Sequence, residues 1–212
     1  MKVVLINGSP NEKGCTYTAL AEAGKALNSE GIDTEFFWIG KKPISGCLAC
    51  FGCSTAGGCV INDSVNEFQK LAATVDGFIF GSPVYYASGN GSLISFMDRV
   101  FFSDALSNGA KSFFMKPAAA VVSARRGGTT AAFDQLNKYF TISQMPIVSS
   151  RYWNMVHGTE PEEVLKDEEG MSVMRVLGRN MAYLLKCFEA GTKAGVPLPK
   201  SEPRVSTNFI RD

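Results

Sequence analysis

The chain has 212 residues and a mass of 22.9 kDa, with 45% hydrophobic and 19% charged residues, the make-up of one folded α/β-sized domain rather than a disordered segment. Its 21 Lys and Arg against 20 Asp and Glu give no electrostatic footing for nucleic acid or an anionic membrane. No apolar run approaches the roughly 18–20 residues of a membrane span, and the amino terminus lacks the basic and apolar regions of a secretory signal. The expected compartment is the cytoplasm, where the six cysteines are reactive, metal-bound or buried rather than disulfide-linked.

In chain order, the β-branched run Val3–Ile6 predicts a first strand, and Ala19, Leu20, Ala23 and Leu27 recur at helical spacing up to Gly31. Asp33–Ile39 reads as the second strand. Val65, Phe68, Leu71, Ala72 and Val75 mark the next helix, and Asp76–Ser82 is a short buried strand ending at Pro83. Leu93, Phe96, Met97, Val100 and Phe101 give a third helix. The continuous apolar run Pro117–Ser123 is the pattern of a central parallel strand. Ala132, Phe133, Leu136, Tyr139 and Phe140 mark a further helix, Pro146–Ser149 the fifth strand, and Met174 to Phe188 the last helix. Strands alternating with helices predict a doubly wound five-stranded parallel sheet with helices on both faces, over residues 1–190. The stretch 191–212, with Pro197, Pro199 and Pro203, is expected to be an irregular tail.

In such a sheet, ligands lie beyond the carboxyl ends of the strands. Three loops therefore matter. The first, Asn7–Thr16, turns tightly and feeds a helix N-terminus, where unpaired amides and the helix dipole favour a phosphate. It is neither a P-loop, since Gly14-Cys15-Thr16 lacks the lysine, nor the G-x-G-x-x-G fingerprint. The second, Ser82–Gly91, places Tyr85 and Tyr86 as flat surfaces for a heteroaromatic ring. The third, Ser123–Thr130, combines Gly127 and Gly128, which allow close backbone approach, with the cations Arg125 and Arg126. A ligand with a phosphate at one end and a flat ring at the other matches all three, and flavin mononucleotide (FMN) is such a molecule.

These loops, Gly8-Ser-Pro10 with Gly14-Cys-Thr16, Gly81–Tyr86 and Ser123–Gly128, together with Arg151–Gly158, resemble the flavodoxin-like NAD(P)H-dependent FMN reductase family. The resemblance implies a flavodoxin-like fold. It implies that Ser9, Asn11, Cys15, Thr16, Tyr17 and Thr18 hold the FMN phosphate. Pro83, Val84, Tyr85 and Tyr86 would flank the isoalloxazine ring, with Ser123, Ala124, Arg125, Arg126, Gly127 and Gly128 on its pyrimidine side. The family often has Arg or Lys at Asn11 and Asn at Cys15, which shifts the phosphate onto backbone amides and hydroxyls. Relatives of this kind are commonly homodimers or homotetramers.

Cys47, Cys50, Cys53 and Cys59 fall within thirteen residues, with the C-x₂-C-x₂-C spacing of a [4Fe–4S] site. Tetrahedral zinc is the rival, although zinc sites usually pair two separated knuckles. Free thiols are a third reading. The spacing resembles that of the iron–sulfur flavoproteins on the same fold. Cys187 is expected to be a buried hydrophobe, and His157, with no nucleophile beside it, to shape a loop near the ring or a subunit contact.

The leading expectation is an enzyme in which NAD(P)H reduces FMN, and electrons pass on to a quinone, a flavin or another acceptor, small molecule or redox protein. No acid–base side chain is required of it. The alternatives are an electron carrier with FMN and a [4Fe–4S] cluster served by a ferredoxin-like partner, and a non-catalytic, zinc-stabilised nucleotide-binding module.

Overall fold

A computed structural model describes residues 1–200, 202, 205–207, 209 and 210. β1 (Lys2–Asn7) lies between β2 (Asp33–Trp38) and β3 (Gly77–Tyr85) in a parallel sheet. β5 (Ala118–Ala124) and β6 (Met155–His157) extend the sheet, in the order β2-β1-β3-β5-β6. A two-residue strand, β4 (Ser88–Gly89), folds back antiparallel on the end of β3. The five-stranded parallel sheet expected from the pattern is present, with this hairpin added.

The strands alternate their side chains between two apolar layers because both faces are covered. Val3, Leu5, Ile79, Ala119 and Val121 face α1 (Cys15–Ser29) and α7 (Glu168–Lys193). Val4, Ile6, Phe78, Phe80, Ala120 and Val122 face α3 (Ser64–Ala72), α4 (Gly91–Asn108) and α5 (Thr129–Ile142). The second layer is rich in aromatics: the Phe68 ring lies 5.2 Å from Phe96 and the Phe80 ring 5.4 Å from Phe140, centroid to centroid. Two short helices, α2 (Cys53–Ala56) and α6 (Pro161–Val164), sit in connections. Among the described residues, no helix is long and apolar enough to cross a membrane.

The structure corrects four of the expectations. The third strand does not stop at Pro83 but continues to Tyr85, with Pro83 paired to Ser123. β1 has already ended at that level, so the missing proline N–H costs no ladder bond on that side. The fifth strand is Met155–His157, not Pro146–Ser149. The earlier segment makes a single bridge, Ile147 to Ala118. Between the two, buried Asn154 stands in for the sheet ladder. Its Nδ2 donates to Ala120 O at 3.0 Å, and its carbonyl accepts from Val122 N. Cys187 is exposed, because the buried stripe of α7 runs through Met181, Ala182 and Leu185. The last helix also persists to Lys193, past the expected start of the tail.

α1 and α7 meet at Gly178, where an added Cβ would lie 2.5 Å from Ala23 O and 2.7 Å from Ala26 Cβ. Gly178→Ala gains up to about 1 kcal/mol in helix propensity, but the obstacle is the backbone of α1, and overpacking costs about 1–3 kcal/mol. A net loss in urea unfolding is expected. In the same helix, Gly191→Ala meets nothing closer than 3.9 Å and should be neutral or stabilising.

Candidate functional site

The turn after β1 is organised from within. Asn7, buried, accepts from Ser9 N through Oδ1 (3.0 Å) and donates through Nδ2 to Glu12 O (2.9 Å), so its side chain substitutes for missing turn hydrogen bonds. Ser9 Oγ accepts from Asn11 N (3.1 Å), and Trp38 Nε1 donates to Ser9 O (2.8 Å). α1 then starts at Gly14 without a side-chain cap. Among the described residues, the amides of Thr16 and Tyr17 have no hydrogen-bond partner and that of Cys15 meets only its own thiol, so a 15-residue helix opens on free donors suited to an anion.

The other two loops converge on this turn. Gly8 N donates to Gly81 O (2.8 Å), and a Cβ at Gly8 would stand 2.6 Å from Leu93 Cδ2. Buried Thr16 hydrogen-bonds to buried Ser123 at 2.8 Å, Oγ1 to Oγ, tying the start of α1 to the end of β5. The predicted Ser9, Asn11, Cys15 and Thr16 thus form one cradle. Tyr17 and Thr18 turn their side chains elsewhere: Tyr17 packs on Phe36, and the Thr18 hydroxyl donates back to Gly14 O. The Cys15 thiol points to Gly158 O at 3.7 Å; burial, reinforced by Glu163, raises its pKa, so it is a neutral lining group.

Pro83, Val84, Tyr85 and Tyr86 rise above the cradle on the β3–β4 hairpin. Its two-residue turn is Tyr86-Ala87, and both have positive φ, 50° and 60°, the backbone of a turn that normally selects Gly or Asn. Two non-glycine residues there are strained, and such strain persists where the surroundings impose it. Here Gln135 of α5 imposes it: its Oε1 accepts from Gly89 N (3.0 Å) and Ser88 Oγ (2.9 Å). Gly128, with φ +93°, also lies under the turn, where a Cβ would sit 2.8 Å from Ala87 Cα. Tyr86 is fully exposed and Tyr85 half exposed. In the third loop Ala124 is buried, Gly127 is open, and Arg125 and Arg126 are exposed without an ion pair among the described residues. His157 lies nearby on β6, its Nδ1 3.7 Å from Asp167.

The cysteine loop follows β2 and packs along α4. Cys47, Cys50, Cys53 and Cys59 all line one small pocket, closed by Leu48, Phe51, Val60, Arg99 and Phe102. Cys53 is buried, which raises its thiol pKa; Cys47 and Cys50 are exposed. Ala49 and Phe51, on either side of Cys50, have φ of 50° and 57°, left-handed values that turn the chain sharply there. Arg99, only 1% exposed, reaches Cys59 Sγ through Nε (3.3 Å) and Nη2 (3.2 Å) and holds Asp63 through Nη1 (2.6 Å) and Nη2 (3.0 Å). Among the described residues, no group of three or more His, Cys, Asp and Glu side chains stands close enough together to hold a single metal ion. The thiols instead line a pocket, and four soft donors around one space fit an iron–sulfur cluster in kind and number.

Sequence reasoning missed Asn7, Trp38, Gln135 and Arg99. Arg99 had a signal, a cation on the same helical stripe as Phe96 and Ser103. The other three act through hydrogen bonds that no periodicity reports.

An uncapped helix start, an aromatic hairpin and a Gly/Arg loop at one edge of a doubly wound sheet define a flavodoxin-like flavin-binding domain. A flavodoxin from the Archaea superposes with a TM-score of 0.57 at 14% identity, covering 88% of this chain and 99% of its own. The solved structure of RosB with a bound 8-demethyl-8-formylriboflavin-5'-phosphate intermediate superposes with a TM-score of 0.71 at 14% identity, covering 99% and 92%. The sequence model of the NADPH-dependent FMN reductase family matches residues 1–160, and the chain belongs to that family. It is similar over 198 residues, at 34% identity, to an iron–sulfur flavoprotein of Methanocaldococcus jannaschii, a match covering 89% of this chain and all of the other. The protein is a flavin-dependent oxidoreductase with FMN as its flavin.

Proposed function

We propose that the protein is an iron–sulfur flavoprotein that passes electrons between FMN and a [4Fe–4S] cluster bound by Cys47, Cys50, Cys53 and Cys59. The observation that carries this reading is the single pocket shared by the four cysteines, with a buried cation against one of them. The similarity to the M. jannaschii iron–sulfur flavoprotein supports it. α4 links the two sites: its first residue, Gly91, follows the ring-side hairpin, and Arg99 lies eight residues further, roughly 12 Å along the axis. Bound FMN supplies the coupling of two-electron hydride chemistry to one-electron transfer.

The chain's own residues bind and orient. The amides of Cys15–Tyr17 and the Ser9 and Thr16 hydroxyls hold the phosphate, Pro83–Tyr86 support the ring, and Ser123–Gly128 face its pyrimidine side. Arg125 and Arg126, exposed and free of ion pairs among the described residues, favour a second electron source, a phosphorylated nicotinamide donor. The acceptor is a quinone, a flavin, another small molecule or a redox protein, and the setting is the cytoplasm. The exposed apolar groups Phe102, Leu48 and Phe51 suit a homo-oligomer.

Anaerobic absorption spectroscopy tests the electron source. Bleaching of the flavin by reduced ferredoxin, faster than by NADPH or NADH, supports the carrier. The reverse order moves the assignment to an NAD(P)H-driven FMN reductase. A flavin that neither donor bleaches contradicts both.

A further inference from the structure

Cys59 differs from the other three cysteines. Its carbonyl accepts from Asn66 Nδ2 (2.6 Å), its amide donates to Gln69 Oε1 (3.5 Å), and Gln69 Nε2 donates to Ser103 Oγ (2.7 Å). Its sulfur accepts from two guanidinium nitrogens of Arg99, whereas among the described residues no side-chain donor reaches the sulfurs of Cys47, Cys50 or Cys53, and Cys53 meets only its own backbone amide. All of these contacts come from α3 and α4, which are packed into the sheet.

Arg99 also spans the whole loop. Nη2 donates to Ile61 O (2.8 Å), two residues after Cys59, and Nη1 to Ser45 O (3.4 Å), two residues before Cys47. Asp63 fixes the plane of the guanidinium by a two-point contact and is itself fixed, because Oδ1 also caps α3 through Val65 N (3.1 Å). A purely structural arginine would need only the carbonyls and Asp63. Here two of its N–H groups, on Nε and Nη2, point at sulfur.

Resting on the cluster reading above, we propose that Arg99 sets the reduction potential of the cluster by donating two hydrogen bonds to the Cys59 sulfur, the pre-positioned ligand on which the loop closes. The reduced cluster carries one more negative charge than the oxidised one. Donors aimed at a ligand sulfur therefore stabilise the reduced form more, and raise the potential. Arg99 is a positioning residue in this role, acting through Cys59.

The test is a dye-mediated redox titration of native protein and Arg99→Lys, each isolated anaerobically with FMN and cluster content measured. Lysine keeps a cation for Asp63 but lacks the fork that reaches carboxylate and sulfur together. The expected result is a reduction equilibrium at least tenfold less favourable in the variant, about 59 mV more negative for one electron, with the FMN potential unchanged. An unchanged cluster potential in a variant retaining both cofactors overturns the proposal and leaves Arg99 a loop brace. If the variant loses FMN, and so does not fold, native protein with ¹⁵N-labelled arginine decides. A ¹⁵N coupling to the reduced cluster by pulsed electron paramagnetic resonance supports the proposal, and its absence overturns it. Native protein that holds FMN but no cluster after reconstitution overturns the cluster reading itself, a result distinct from an unchanged potential.

Discussion

Gly14→Asp is expected to weaken FMN binding by about 100-fold or more while stabilising the apoprotein by about 1 kcal/mol. Gly14 is the N-cap of α1, with φ −84° and ψ −165°, extended values open to any residue, and no side chain caps the helix there. A carboxylate at this position satisfies the free amides, and a good N-cap contributes about 1 kcal/mol. The new Cβ would lie 3.0 Å from Asn11 Cβ, but Asn11 is exposed and can yield. The same carboxylate would occupy the seat proposed for the phosphate and repel it. Each charge-assisted hydrogen bond contributes about 1.5–3 kcal/mol, so losing two makes a change of two orders of magnitude or more. Fluorescence titration with FMN and with riboflavin checks this. Riboflavin, which has no phosphate, should bind both proteins alike. Equal losses for the two flavins would place the phosphate elsewhere.

Arg99→Met should be the most destabilising change of a charged residue, by about 3–5 kcal/mol in chemical denaturation of the apoprotein. The guanidinium is almost wholly buried and the Asp63 side chain is 29% exposed, so removing the arginine strands a partly buried carboxylate and empties a buried site. The ion pair Arg175–Glu22 has a similar distance, 2.7 Å, but the Arg175 side chain is 41% exposed, and Arg175→Met should cost under about 1 kcal/mol. Adding Asp63→Leu to Arg99→Met should recover part of the loss, since no charge is then left alone. Recovery stays incomplete by about 1 kcal/mol because Asp63 also caps α3. A cost for Arg99→Met no larger than for Arg175→Met would mean that the pair is solvated.

Much of the fold was legible because both faces of the sheet are covered. A strand buried on both sides reads as an unbroken apolar run, as in Ala118–Val122, and the covering helices show their stripes. The loops at the carboxyl edge were legible as types of residue: glycines, hydroxyls, paired tyrosines and paired arginines. Errors fell where tertiary context overrode local preference. Pro83 reads as a strand stop, yet it sits where β3 has lost its β1 neighbour and the proline costs nothing. Pro146–Ser149 has the look of a strand, but the ladder resumes only at Met155, after Asn154 has bridged the gap with its side chain. Cys187 has apolar neighbours in the sequence, but it lies off the stripe of Met181, Ala182 and Leu185 and faces solvent. The clamp of Asn7 on the phosphate turn and of Gln135 on the strained hairpin is long-range hydrogen bonding, invisible to periodicity.

The most direct test of the central claim is the content of FMN, iron, acid-labile sulfide and zinc in anaerobically purified protein. The account predicts one FMN with iron and sulfide in the equal amounts of a [4Fe–4S] cluster, the iron and sulfide lost in Cys59→Ser and the FMN kept. FMN without iron, or zinc in its place, would contradict the electron path from flavin to cluster, and protein that takes up no FMN would contradict the site itself.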